Sequence, residues 1–387
     1  MLGSDSLPRE GVPQGRVEQH RWLASKVYPD TARDYWVYVP AQYDTSRPAC
    51  LMVFQDGAGY VHLEGQMRAP TVMDNLIHEG QMPVTIGIFV NPGTLADGES
   101  NRQVEYVARG DTYARFLLEE IIPQISKDYC LIEDAAGRAI CGMSDGGLCA
   151  FAVAWERPDV FSKVISHIGS FVRSIDGEDF PHKVRQTRRD PKPLRVFLQD
   201  GENDLNIEEG NWTFSNLSMA SALTYGRYDH RFELGAGGHD LIHGGELFPD
   251  TLRWIWRDYP GVVGADKAPD YKVVAGRWQV EANGFGMISR SVLTVKVDRG
   301  VPVATLKDEQ DGEIEVTAIR FDGDRLSYDY RTPPSQRLWG KSPSNTMTTW
   351  LRVDDGVLEG VVSGEVGPET SYDFVVRGWK LDDPDSG

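Results

Sequence analysis

Strand-length apolar runs alternate with helically spaced segments between Asp34 and Tyr259. "ACLMVFQDG" (Ala49–Gly57) is apolar from Ala49 to Phe54 without alternation, as a strand buried on both faces must be. "DYWVYVPAQY" (Asp34–Tyr43) is strand-like before it. "PTVMDNLIHEG" (Pro70–Gly80) has helical spacing and closes on glycine, a common helix stop. "MPVTIGIFVNPG" follows as another buried strand ending in turn residues, and Thr112–Tyr129 carries strong helical spacing. "GRAICGMSDGGLCAFAVAWERPDVF" (Gly137–Phe161) reads as strand, tight glycine turn and helix. "KVISHIGSF", "LRVFLQDG" and "YDHRFELGAGGH" are three more strands, each running into a loop, and "GELFPDTLRWIWRDY" closes as a helix. Buried strands alternating with helices predict an α/β unit whose mostly parallel sheet is covered on both faces.

The pattern changes near Gly264–Asp270. From Tyr271 onward strand follows strand with period-2 alternation, and helical signal is absent. Asp322-Gly323-Asp324 and Asp355-Gly356 fall at hairpin positions. The expectation is a small antiparallel β domain, either barrel or sandwich. The chain therefore divides into a flexible lead-in (1–19, polar with Pro and Gly), an α/β domain (20–264) and a β-rich domain (265–387).

Composition narrows the partners. With 40 Lys and Arg against 58 Asp and Glu, the net charge is −18. No basic footprint for nucleic acid is visible, and an anionic membrane surface is disfavoured for the same reason. No apolar run reaches the ~18 residues of a membrane helix, so no membrane insertion is expected. The first residues lack the apolar middle of a signal peptide, and the reading leans to an exported chain whose signal was removed before residue 1. Four cysteines without a C-x-x-C pair suggest neither a disulfide framework nor a metal site. Cys141 and Cys149 lie in apolar runs and read as core residues.

The chemistry centres on Gly142-Met143-Ser144-Asp145-Gly146. A G-x-S-x-G turn between strand and helix lifts a serine hydroxyl out of the sheet, and its glycines leave room for the close approach. A serine nucleophile needs a base, and the base needs an orienting acid. Asp204, four residues past an apolar strand and inside a loop, is placed to supply the acid. Glu202 is its rival, and Asp200 sits too close to the strand. His239, after "GAGG" and ahead of the last helix, is the expected base, with His243 as the alternative. An oxyanion needs two backbone N–H donors. Asp145, next to the nucleophile, is one candidate; Gly57 and Ala58 in "QDGAGY" are the others. Tyr60, Arg102 and Trp212 are candidates for substrate contact. Arg102 and Glu105 either bind a polar group of the substrate or pair with each other on the surface. No H-E-x-x-H, P-loop or G-x-G-x-x-G occurs, and the chemistry expected here needs neither metal nor cofactor.

These stretches resemble the esterase family that includes enterochelin esterases, feruloyl esterase domains and esterase D, over roughly residues 20–260. "VYVPAQYD", "MVFQDG", "YARFLLEEIIPQI", "CGMSDGGLCAFAVAWERPDVF", "FLQDGENDL" and "GGHDLIHGG" carry the likeness. The resemblance implies an α/β-hydrolase fold with a Ser144–His239–Asp204 triad. It also implies cleavage of carboxylic esters of aromatic acids, sugars or siderophores. The enterochelin esterases carry an extra domain before the hydrolase; here a lipocalin-like barrel or a sandwich follows it instead. The expected function is a serine carboxylesterase acting on a small-molecule or carbohydrate-linked ester. The alternatives are an acyltransferase using the same triad, and a ligand- or carbohydrate-binding protein with an inert hydrolase domain. An exposed strand edge in the β domain would be a pairing surface for a homodimer.

Overall fold

The computed structural model describes residues 1–382 apart from 108–109, 174–178, 266–268, 285–286, 333–345, 355 and 367–369. Asp355 of the expected hairpin, and 266–268 in the stretch where the sequence pattern changes, lie outside the described residues. The chain forms two compact units, residues 1–266 and 267–387.

In the first unit, β1 (Arg16–Trp22), β2 (Arg33–Val39) and β3 (Cys50–Gln55) lead into two helices, α1 (Ala58–Val61) and α2 (Ala69–His78). Then come β4 (Thr85–Val90), α3 (Arg102–Tyr106) and α4 (Thr112–Phe116), which continues through a π turn over Leu117–Ile121 into α5 (Ile122–Ile125). β5 (Arg138–Met143), α6 (Asp145–Glu156), β6 (Lys163–His167), α7 (Phe180–Gln186) and β7 (Arg195–Gly201) follow. A small hairpin of β8 (Asn206–Ile207) and β9 (Gly210–Asn211) precedes α8 (Trp212–Gly226), β10 (Asp229–Gly235) and α9 (Ile242–Trp256).

The sheet order is β1-β2-β4-β3-β5-β6-β7-β10. β1–β2 and β2–β4 are antiparallel; every other pair is parallel. Successive side chains of a strand enter opposite cores. Leu51 and Val53 of β3 join Phe116, Phe151 and Leu223 on one face, while Met52 and Phe54 join Leu76, Phe248 and Trp256 on the other. Each such buried side chain contributes about 1.5–3 kcal/mol, which is why the strands read as unbroken apolar runs.

Two expectations change. The lead-in is fastened rather than flexible. Asn75 Nδ2 donates to the carbonyls of Asp5 and Leu7, Gly15 N–H donates to Asp74, and Arg253 holds the Asp5 carboxylate. Residues 16–22, placed partly in that lead-in, form the edge strand β1. Its polar, mostly exposed "RVEQHRW" has no apolar face to betray it.

The second unit is a closed antiparallel barrel, which decides between barrel and sandwich. Its strands are β11 (Gly276–Gly284), β12 (Met287–Asp298), β13 (Val301–Asp308), β14 (Gly312–Phe321), β15 (Arg325–Arg331), β16 (Thr346–Asp354), β17 (Val357–Val366) and β18 (Thr370–Lys380). Trp278, Leu293, Leu326, Leu351, Leu358 and Val376 fill the interior. β11 pairs with β18, so the barrel leaves no free strand edge among the described residues.

All four cysteines are free thiols; Cys50, Cys141 and Cys149 are buried and Cys130 is exposed.

Candidate active site

Ser144 stands at the end of β5 with φ 55° and ψ −124°, a conformation that costs a non-glycine residue energy. The glycines make it attainable. A Cβ on Gly142 would overlap the Gly146 carbonyl, and one on Gly146 would lie 2.6 Å from Asp56 Oδ2. The chain can thus fold from strand into α6 in one step, with Ser144 half-exposed at the crest.

The loop after β10 brings His239 to this crest. His239 Nε2 is 3.0 Å from Ser144 Oγ, and His239 Nδ1 is 2.5 Å from Asp204 Oδ1. Asp204 is buried in the loop after β7, where the Leu205 N–H also donates to Oδ1 at 2.5 Å. Burial works to raise the Asp204 pKa. The hydrogen bonds from His239, Asp200 and Leu205 outweigh it and hold the carboxylate below its ordinary range. An imidazole held between a carboxylate and a hydroxyl can take the hydroxyl proton while the carboxylate steadies the resulting charge. The two rivals lie elsewhere. Glu202 is exposed, and His243 Nδ1 meets Gln199 Nε2 at 3.1 Å.

Asp200 is not bystander scaffolding at the strand end. It is fully buried, and its pKa is raised by burial and by the neighbouring Asp204 carboxyl. Asp200 Oδ1 accepts the Gly201 N–H at 2.8 Å. Each carboxyl keeps a second oxygen that is buried and lacks an N–H or O–H donor among the described residues. Neighbouring buried carboxyls disfavour each other's charge, which favours the neutral form of Asp200. Asp204 faces the imidazole and keeps the charge. Asp200 is pushed up to about 8, first by burial and then by Asp204, against the opposing pull of the Gly201 N–H. Between the ordinary carboxylate range and that value, the folded chain holds a proton that the unfolded chain has released. The group's contribution to stability therefore falls as pH rises through that window and levels off above it. In urea unfolding, the stability of Asp200→Asn relative to wild type is expected to rise from pH 5 to pH 8. A difference that stays flat would mean that Asp200 does not hold that proton.

The expected oxyanion donors differ in whether their N–H groups are already engaged. Asp145 opens α6, and first-turn N–H groups have no partner within their helix. Gly57 and Ala58 are otherwise engaged: Gly57 N–H donates to the Val90 carbonyl at 3.1 Å and Ala58 N–H to Asn91 Oδ1 at 2.9 Å. "QDGAGY" looks open by its glycines but winds into the helical turn α1 against the end of β4, which consumes those donors. Ala58 can serve an oxyanion only when the Asn91 amide oxygen is displaced.

The three residues expected to touch substrate are engaged within the protein. Tyr60 is fully buried, with its hydroxyl 3.0 Å from His167 Nδ1. Trp212 is buried, its ring edge-on to His239 with centroids 6.0 Å apart. Arg102 neither binds outward nor pairs with Glu105. Its guanidinium spans Asp56 (2.9 and 2.8 Å) and Asp145 Oδ2 (3.1 Å), and Arg173 Nε takes Asp145 Oδ1 at 2.9 Å. This network ties the turn after β3 to the Ser144 elbow. Glu105 is buried instead against Arg33 (2.5 and 3.0 Å), with Asn101 and the Gly93 N–H completing its shell and fixing α3. Asp56, Arg173 and Ser170 escaped the sequence reading. Only the position of Ser170 after an apolar strand and a glycine hinted at it. Among the described residues, no group of three His, Cys, Asp or Glu side chains is placed to hold a metal ion.

The esterase family model described as "Putative esterase" matches residues 28–254. An iron(III) enterobactin esterase of Dickeya dadantii is 25% identical over 245 residues, covering 58% of this chain and 52% of that protein. An endo-1,4-beta-xylanase/feruloyl esterase of Xylanibacter ruminicola is 24% identical over 221 residues, covering 55% of this chain and 28% of that one. The chain thus spans about half or less of these two curated relatives. The crystal structure of the enterobactin esterase FES from Shigella flexneri with enterobactin superposes with a TM-score of 0.52 at 17% identity, over 65% of this chain and 61% of that one. The ferulic acid esterase AmCE1/Fae1A of Anaeromyces mucronatus gives 0.51 at 17% identity, over 69% and 97%. These superpositions agree with an α/β-hydrolase fold in the first unit. The family model spans more than half the chain and encloses the whole Ser144 elbow with its histidine and carboxylate: the chain belongs to this esterase family.

Proposed function

We propose that the chain is a serine carboxylesterase in which Ser144, His239 and Asp204 form the catalytic triad. The observation that carries the reading is the continuous run from Ser144 Oγ to His239 Nε2 (3.0 Å) and from His239 Nδ1 to Asp204 Oδ1 (2.5 Å). Ser144 Oγ attacks the ester carbonyl as His239 takes its proton. The tetrahedral oxyanion is held at the first turn of α6, with the Asp145 N–H as one donor. Collapse breaks the bond to the alcohol, which leaves with the proton from His239. Water then enters, gives a proton to His239, and releases the acid and Ser144 by the reverse path.

The relatives' names, an enterobactin esterase and a feruloyl esterase, support a substrate that carries an aromatic group. We assign an ester of an aromatic acid. The purified protein is expected to hydrolyse p-nitrophenyl acetate and methyl ferulate to the free acids, and to prefer the ferulate to an acetylated sugar by kcat/KM. Preference for the sugar would replace the substrate class. Transfer to an added alcohol in place of water would make the chain an acyltransferase, and no turnover of any ester would overturn the reading.

A further inference from the structure

A second hydroxyl stands beside Ser144. Ser170, fully buried in the turn after β6, places its Oγ 3.3 Å from Ser144 Oγ and 3.2 Å from Trp212 Nε1. Its own N–H donates to the Ser144 carbonyl at 3.1 Å, so the two residues are held together through backbone and side chain.

The direction of each hydrogen bond follows from chemistry. An indole N–H can only donate, so Ser170 Oγ accepts from Trp212. With Asp204 on Nδ1, that nitrogen carries the imidazole proton and Nε2 accepts; Ser144 gives its proton to His239. Ser170 then has its own proton left, and Ser144 Oγ is the partner within reach. The order is Trp212 to Ser170 to Ser144 to His239.

We propose that the Ser170 hydroxyl is a further catalytic group that donates a hydrogen bond to Ser144 Oγ, with Trp212 as the positioning residue that fixes its direction. The inference rests on Ser144 being the nucleophile, as proposed above. A donor to Oγ gains most when negative charge develops there: in the attack on the ester, and when Oγ becomes the leaving group as the acyl-enzyme breaks down. Both steps are therefore helped by one group. Trp212 contributes through orientation. Without its N–H, the Ser170 hydroxyl is free to rotate away from Oγ.

The test measures the second-order rate of covalent labelling of Ser144 by a fluorophosphonate, alongside kcat and KM on p-nitrophenyl acetate. In labelling, the Ser144 Oγ–P bond forms, the P–F bond breaks, fluoride leaves, and the serine proton passes to His239. Ser170→Ala is expected to slow labelling and to lower kcat about 10-fold, with KM near that of wild type. Trp212→Phe is expected to cost about 3-fold where Ser170 is present and nothing in the Ser170→Ala background. Labelling of Ser170→Ala at the wild-type rate overturns the proposal alone. So does a Trp212→Phe effect that persists undiminished without Ser170, since it would show that the indole acts by packing on His239. A wild-type chain that takes no label at Ser144 overturns the nucleophile reading and this proposal with it.

Discussion

Ser144→Ala is expected to lower kcat for ester hydrolysis by about 10^4- to 10^6-fold while leaving the fold intact. The side chain that is lost is a single hydroxyl on a half-exposed crest, so little packing goes with it. The backbone strain at φ 55° remains, because alanine inherits it and the surrounding glycines still allow it. What disappears is the atom that, in the proposed mechanism, forms the bond to the acyl carbon. The remaining His239–Asp204 pair can only activate water, without an acyl-enzyme to divide the reaction. Progress curves of wild type and variant at matched concentration, with circular dichroism to confirm folding, measure this. A variant retaining a tenth of wild-type activity would remove Ser144 from the mechanism.

The second large effect belongs to the carboxylate. Asp204→Asn is expected to lower kcat by about 10^4-fold. Asparagine can turn its NH2 toward His239, which makes Nδ1 an acceptor and forces the ring proton onto Nε2. Ser144 then faces a donor where it needs an acceptor. Asp204 is buried and has one oxygen committed to both His239 and the Leu205 N–H, so water cannot readily replace it. Glu202→Gln, at an exposed position two residues away, is expected to behave as wild type. If Glu202→Gln carried the loss and Asp204→Asn did not, the acid would have to be reassigned. Measuring kcat for both variants on one ester decides between them.

The parallel sheet was legible because its strands are apolar on both faces, and the elbow because only glycine tolerates the packing around Ser144. Chain order and loop position singled out His239 and Asp204, the two side chains that line up with Ser144 at hydrogen-bond distance. Other parts left no such mark. α8 presents Thr213, Asn216, Ala220 and Ala222 inward, small and polar residues that carry little periodic apolar signal. Tyr60, Arg102 and Trp212 looked like substrate contacts because composition does not tell which way a side chain points. Arg102 turned inward because Asp56, in the turn after β3, and Asp145, at the start of α6, both lie within reach, a meeting that only tertiary structure creates. The same is true of Asp200. Its closeness to the strand argued against a role, yet it is buried there and Asp204 helps push its pKa upward.

The four thiols offer a handle for following this protein as it opens. Cys130 is exposed and can be alkylated in the native chain, whereas Cys50, Cys141 and Cys149 are shielded. Burial also pushes the Cys50 thiol up to about 11, so its reactive thiolate is scarce at neutral pH. Cys50 begins β3, Cys141 lies in β5 and Cys149 in α6, so the shielded thiols sample the centre of the sheet and the helix behind Ser144. Mass spectrometry of alkylated protein can therefore separate one immediate adduct from three delayed ones. The delayed set works as a built-in clock for exposure of the esterase core.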